Sequence, residues 1–207
     1  MGKRELTKKE LARKELFEQN CVKLKQEGYG SKEITVNIVK ANIYSLFTLL
    51  PFVLFFIWLY IKVNQEFYFG QSMFWSMMCL PVFFLLVFAH ECIHAIVFGI
   101  FAKKHFKSVE IGIVWRYITP YCACKETLTK WQYILGMAMP TIILGFVPAV
   151  IAVFLNSFEL FFMSILMISC GGGDFLIILM ILLYKENGQE TVYLDHPYEV
   201  GVVVFEK

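Results

Sequence analysis

The chain has 207 residues, of which 58% are hydrophobic and 21 are phenylalanine, and its mean hydropathy is +0.61. Soluble domains carry roughly 45–50% apolar residues, so the composition argues against an ordinary soluble protein and for one built into a membrane. A formal net charge of +2 supplies no field for nucleic acid. The six cysteines (Cys21, Cys79, Cys92, Cys122, Cys124 and Cys170) have no disulfide-framework spacing.

Residues 1–40 form a charged N-terminal segment, without the apolar core and small-residue cleavage site of a removable signal peptide. The first span is therefore expected to act as an uncleaved anchor. Between Lys3 and Lys25, Thr7-Lys8-Lys9-Glu10 matches a capping box that opens a helix. Phe17, Cys21 and Leu24 share one face of it, suited either to a surface helix or to contact with anionic lipid. Gly28-Tyr29-Gly30 ends it, and Ile34, Val36 and Ile38 then alternate with polar residues in the period of a strand.

Residues 41–184 read as four transmembrane helices, since each needs about 20 apolar residues. The spans are Ala41 to Ile61, Met73 to Phe101, Trp131 to Leu155 and Leu160 to Leu183, with Pro51, Pro140 and Pro148 as expected bends. Asn64 to Gln71 and Asn156 to Glu159 are short links. Between the second and third spans lies a basic connection, 102–130, where Val109, Ile111 and Ile113 alternate again, so that a strand or hairpin is expected. Residues 185–207 are a tail whose Val200 to Phe205 has strand character. Lys and Arg gather in the N-terminal segment and the 102–130 connection, so both termini and that connection are expected on the cytoplasmic side. Three strand-like pieces, Ile34 to Ile38, Val109 to Trp115 and Val200 to Phe205, would meet there in one small sheet. The fold class expected is an all-α integral membrane protein of four transmembrane helices with a small cytoplasmic β element.

Within the second span lies Phe88-Ala89-His90-Glu91-Cys92-Ile93-His94-Ala95. Histidines four apart on a helix project from one face and can reach one metal ion. Glu91 sits about 100° round from His90, better placed to take a proton from water than to ligate. Two histidines and a carboxylate in hydrocarbon cost about 2.5 kcal/mol or more each unless paired or metal-bound. Cys92 points off their face and reads as helix packing. Cys122-Ala123-Cys124 is too short a pattern to define a metal site, and free thiols are expected.

Depth selects a third partner. At about 1.5 Å per residue, His94 and His90 lie roughly 14 to 20 Å in from Lys103, and Asp174 lies roughly 17 Å in from Lys185. Among the acidic residues only Glu91 and Asp174 fall well inside a span. Zn²⁺ with both carboxylates ionised sums to zero charge, which suits a buried site. Gly171, Gly172 and Gly173, just before Asp174, would let that backbone approach another helix closely or re-aim the carboxylate. Glu110, His105 and His196 are weaker candidates; the two histidines are expected at a solvated surface.

The His90-Glu91-Cys92-Ile93-His94-Ala95 stretch, the later Gly173-Asp174, and the tail with Asp195, Pro197 and Gly201 resemble the small bacterial zincin peptidase family over roughly Ile34 to Phe205. More distantly, the arrangement is similar to site-2 proteases, whose aspartate sits in an Asn-Pro-Asp-Gly setting that Asp174 lacks. The resemblance implies zinc on His90, His94 and Asp174, with Glu91 as the base. The expected function is a zinc-dependent membrane-embedded endopeptidase acting on a membrane or membrane-proximal protein or peptide, in contact with the lipid bilayer and without nucleic acid. An exposed sheet edge would hold the substrate by strand addition. The alternatives are a non-proteolytic membrane protein that binds or senses a divalent metal, and an assembly partner whose polar cluster serves packing; oligomeric state is left open.

Overall fold

The computed structural model describes residues 8–65, 73–114, 119–197 and 199–207. Thr7 of the capping box, most of the link after Asn64, and Trp115 and Arg116 of the basic connection lie outside them. Helix α1 (Lys8–Gln26) ends where Gly28 takes a left-handed φ of +92°. Its Phe17, Cys21 and Leu24 pack on Leu194, Val203 and Phe205, so the apolar face rests on protein, not on lipid. Strand β1 (Gly30–Val36) begins and stops earlier than its alternating residues suggest. The reason is Asn37, whose side chain accepts from Val39 N–H at 2.9 Å and starts helix α2 (Ile38–Thr48).

Helix α3 (Leu50–Asn64) continues α2 after a break at Leu49, with Pro51 in its first turn, where a missing N–H is tolerated. Helix α4 (Met73–Phe101) carries the histidine motif. Helix α5 (Lys130–Thr141) is opened by a Thr129–Gln132 capping box and passes through a π turn, Ile142–Phe146, into α6 (Val147–Leu155). Ile38–Asn64, Met77–Phe101 and Lys130–Leu155 are each long and apolar enough to cross a membrane. The expected fourth span is broken: α7 (Phe158–Cys170) and α8 (Gly172–Leu183) meet at Gly171 with a bend of 47°. Phe84, Leu85, Phe88, Phe154 and Leu183 stand outward and exposed, an apolar exterior that suits lipid and would drive association in water.

The strands correct one expectation. The mainly helical fold carries a small β element as expected, but among the described residues it forms two antiparallel sheets, and the three strand-like pieces do not share one. β2 (Val109–Val114) pairs with β3 (Thr119–Cys124), the segment nearest to it in sequence and so the least costly to close on. β5 (Val200–Glu206) is flanked by β1 and by β4 (Thr191–Asp195), a strand that the sequence pattern did not reveal. Leu128, four residues beyond β3, pairs with Tyr193 of β4 by reciprocal backbone bonds of 2.9 and 2.8 Å.

One core cluster welds the sheets to the ends of α4, α5 and α8 through Phe98, Cys124, Leu128, Tyr133, Ile181, Tyr193, Val202 and Val204. A second, on the other side, packs Leu49, Phe56 and Tyr60 on Ala149, Val153 and Phe161, with the Tyr60 and Phe161 rings stacked at 4.3 Å. The tail is therefore part of the body. Gly201, at φ +137°, sits where any side chain would strike the Ile34 carbonyl of β1. Asp195 accepts from Cys124 N–H at 2.6 Å and from the Tyr133 hydroxyl. Asp195→Ala would leave both donors without an acceptor at about 1–3 kcal/mol each, so it should lower the unfolding temperature in detergent clearly more than Asp195→Asn, which keeps one acceptor oxygen.

Candidate metal centre

Helical spacing in α4 puts His90 and His94 one turn apart, with ring centroids 4.8 Å from each other. Both are buried, at 6% and 3% exposure, and Glu91 beside them is 8% exposed. Asp174 arrives from the first turn of α8, where the helix dipole favours a carboxylate. Its Oδ2 lies 3.0 Å from His90 Nε2 and 3.3 Å from His94 Nε2.

Two of the three glycines before Asp174 have a steric cause. A Cβ on Gly171 would overlap the Thr141 hydroxyl, and one on Gly172 would meet the Ser45 carbonyl, whereas Gly173 faces open space. The α7–α8 break is thus pressed between α5 and α2, and from there the helix restarts with Asp174 aimed at α4. Close approach and a re-aimed carboxylate, the two roles sketched for these glycines, occur together.

His94 Nδ1 lies 2.8 Å from the Gly136 carbonyl of α5. A carbonyl only accepts, so this nitrogen carries the proton. That bond fixes the ring with Nε2 toward Asp174, an arrangement usual for metal-binding histidines. Gly136 was not singled out from the sequence, where a lone glycine in an apolar helix reads as packing.

The residues present fit a zinc ion. His90, His94 and Asp174 can each offer one ligand atom, all within 4.8 Å of one another. Donors bound at about 2.0–2.1 Å to one tetrahedral ion lie about 3.3 Å apart, close to the two Asp174–histidine separations. Two imidazoles and a carboxylate are a common catalytic zinc set. Glu91 stands outside the trio, and its Oε2 is a buried oxygen without a hydrogen-bond partner among the described residues.

The other candidates lie elsewhere. His105 is exposed and donates from Nδ1 to the Gly99 carbonyl at 3.2 Å. His196, expected at a solvated surface, is instead half-buried in the tail, where its Nδ1 accepts from Glu199 N–H and its ring lies 5.8 Å from Phe17. Glu110 is held by Lys125 at 2.9 Å and by the Tyr121 hydroxyl at 3.0 Å. Cys122 and Cys124 are free thiols. Burial pushes the Cys124 thiol up to about 12 and Cys122 higher still, so neither offers a thiolate at neutral pH.

A His-Glu-x-x-His helix joined by a carboxylate from a later helix defines a zincin-type centre. Residues 83–188 match the model of the family described as putative zincin peptidase, and the chain belongs to that family. No curated protein and no solved structure matches the chain. The matched stretch contains α4 from Phe83, the β2–β3 hairpin and all of α5 to α8, and so every member of the trio. If Asp174 is a ligand, Asp174→Ala should weaken Zn²⁺ binding at least tenfold in competition with a chromophoric chelator; native affinity in that variant would remove it from the site.

Proposed function

We propose that this protein is a zinc-dependent endopeptidase that cleaves a membrane or membrane-proximal protein, with His90, His94 and Asp174 as the metal ligands and Glu91 as the general base. Membership of the zincin peptidase family supports the metallopeptidase class. The observation that carries the reading is the buried Glu91 carboxylate, next to the trio and with Oε2 unpartnered among the described residues. A site that only stored or sensed a cation would have no use for a buried basic oxygen outside its ligand set.

Zinc held by these residues supplies Lewis acidity, which polarises a scissile carbonyl and brings the pKa of water in the site down toward about 7. The chain's own groups do the rest. Glu91 takes a proton from the attacking water at Oε2 and returns it to the leaving nitrogen. His94, held by Gly136, keeps its Nε2 aimed at the centre. Burial of His90, Glu91 and His94 strengthens each charge interaction within the site.

Substrate would have to lie extended across this centre. In the β2–β3 ladder Lys125 N–H bonds to Ser108, while Cys124 N–H turns away from β2 to Asp195. By the two-residue period, the N–H and C=O of Cys122 also face away from β2. The Pro120 position on that edge has no N–H, so Cys122 is where an added strand would register. The basic residues of the N-terminal segment and the 102–130 connection support a cytoplasmic location for both termini and the two sheets.

Glu91→Gln separates this proposal from a metal-binding protein without catalysis. The variant should bind Zn²⁺ with native stoichiometry and lose cleavage of a peptide library presented in detergent by at least a hundredfold. Undiminished cleavage by Glu91→Gln would remove the general base and with it the mechanism.

A further inference from the structure

The group that orients His94 is a helix carbonyl, and helix carbonyls are ordinarily engaged. In a regular α-helix the Gly136 C=O would accept from the N–H of residue 140. Residue 140 is a proline inside α5 and has no N–H to give. The Gly136 carbonyl, released from the helix ladder, is the one that His94 Nδ1 reaches at 2.8 Å.

Gly136 contributes a second, independent element. A Cβ there would overlap the ring of Phe98. Phe98 is fully buried and lies over His94, with ring planes 12° apart and centroids at 6.1 Å. The missing side chain at residue 136 therefore lets α5 close on α4 at the level of His94, while the missing N–H at residue 140 leaves the carbonyl free to accept. The two residues are four apart, the interval of one helical hydrogen bond. A proline inside a helix ordinarily destabilises it, and the π turn at Ile142–Phe146 follows immediately.

We propose that Gly136 and Pro140 form a positioning pair: Pro140 frees the Gly136 carbonyl from the helix, and that carbonyl holds the His94 Nδ1 proton so that Nε2 is presented to the metal. Pro140 touches neither metal nor substrate in this scheme and acts only through Gly136. The consequence for the metal rests on the assignment of His94 as a ligand; the hydrogen bond itself does not.

Pro140→Ala in the full-length protein is the test, because it restores an N–H that competes for the Gly136 carbonyl. The expected result is opposed movement of two quantities. Zn²⁺ affinity, by chelator competition, should fall about tenfold, the lower end for loss of a partner that orients a ligand, while the unfolding temperature stays level or rises because the helix gains a bond. In the metal-free protein, the His94 Nδ1 proton, followed by ¹⁵N-edited NMR, should be slow to exchange with solvent in the native chain and fast in Pro140→Ala. Native affinity together with a protected Nδ1 proton in the variant would overturn the proposal. A native chain that binds no zinc would defeat the peptidase reading, yet the exchange comparison would still decide the role of the pair. Should Pro140→Ala fail to fold, Gly136→Ala takes its place: it should lose about tenfold in affinity and recover most of it when Phe98→Leu relieves the overlap. Native affinity in Gly136→Ala alone would overturn the proposal.

Discussion

Two imidazoles and two carboxylates buried among apolar helices can persist only if charge and hydrogen bonding are matched within a few ångströms. That constraint organises the molecule. It brings α8 into contact with α4 at Asp174, and it accounts for Gly171 and Gly172, whose missing side chains allow the broken helix to sit between α5 and α2. It also engages α5, whose Gly136 carbonyl accepts from His94 Nδ1 and so keeps Nε2 toward Asp174; the Nδ1 of His90 has no such anchor among the described residues.

Around this centre the rest of the chain acts as a brace at one end of the helices. Phe98, one turn beyond His94, packs between His94 and Tyr133, and Tyr133 is in turn bonded to Asp195 of β4. Strand β4 thus reaches the centre through two aromatic rings. α1 covers the opposite face of the same sheet through Phe17, Cys21 and Leu24. Interior hydrogen bonds and packing of this kind hold an active-site geometry more firmly than loops do, and they explain why residues far along the tail belong to the same body as the motif.

Much of this was legible in the sequence because it follows from period and depth. Four-residue spacing placed His90 and His94 on one face, long apolar runs marked the helices, and the count of residues to Lys103 and Lys185 put Asp174 level with the histidines. What escaped had no local signature. β4 carries only Val192 and Leu194 in alternation, too few to mark a strand. For β2 a strand or hairpin was legible, but not its separation from the sheet of β1 and β5, because alternation predicts a strand but not its partner. The break at Gly171 was sensed as looseness, but its 47° bend depends on Thr141 and Ser45, which no reading of one helix can supply. Gly136 was not singled out and Pro140 was read as a bend; only the position of His94 across the helix interface joins them.

X-ray absorption at the zinc edge of the purified native protein tests the account most directly. One zinc per chain is predicted, with two imidazole nitrogens at about 2.0–2.1 Å and one carboxylate oxygen at about 2.0–2.2 Å. A sulfur shell at about 2.3 Å, which would bring Cys122 or Cys124 into the site, or folded protein without stoichiometric metal, would contradict it.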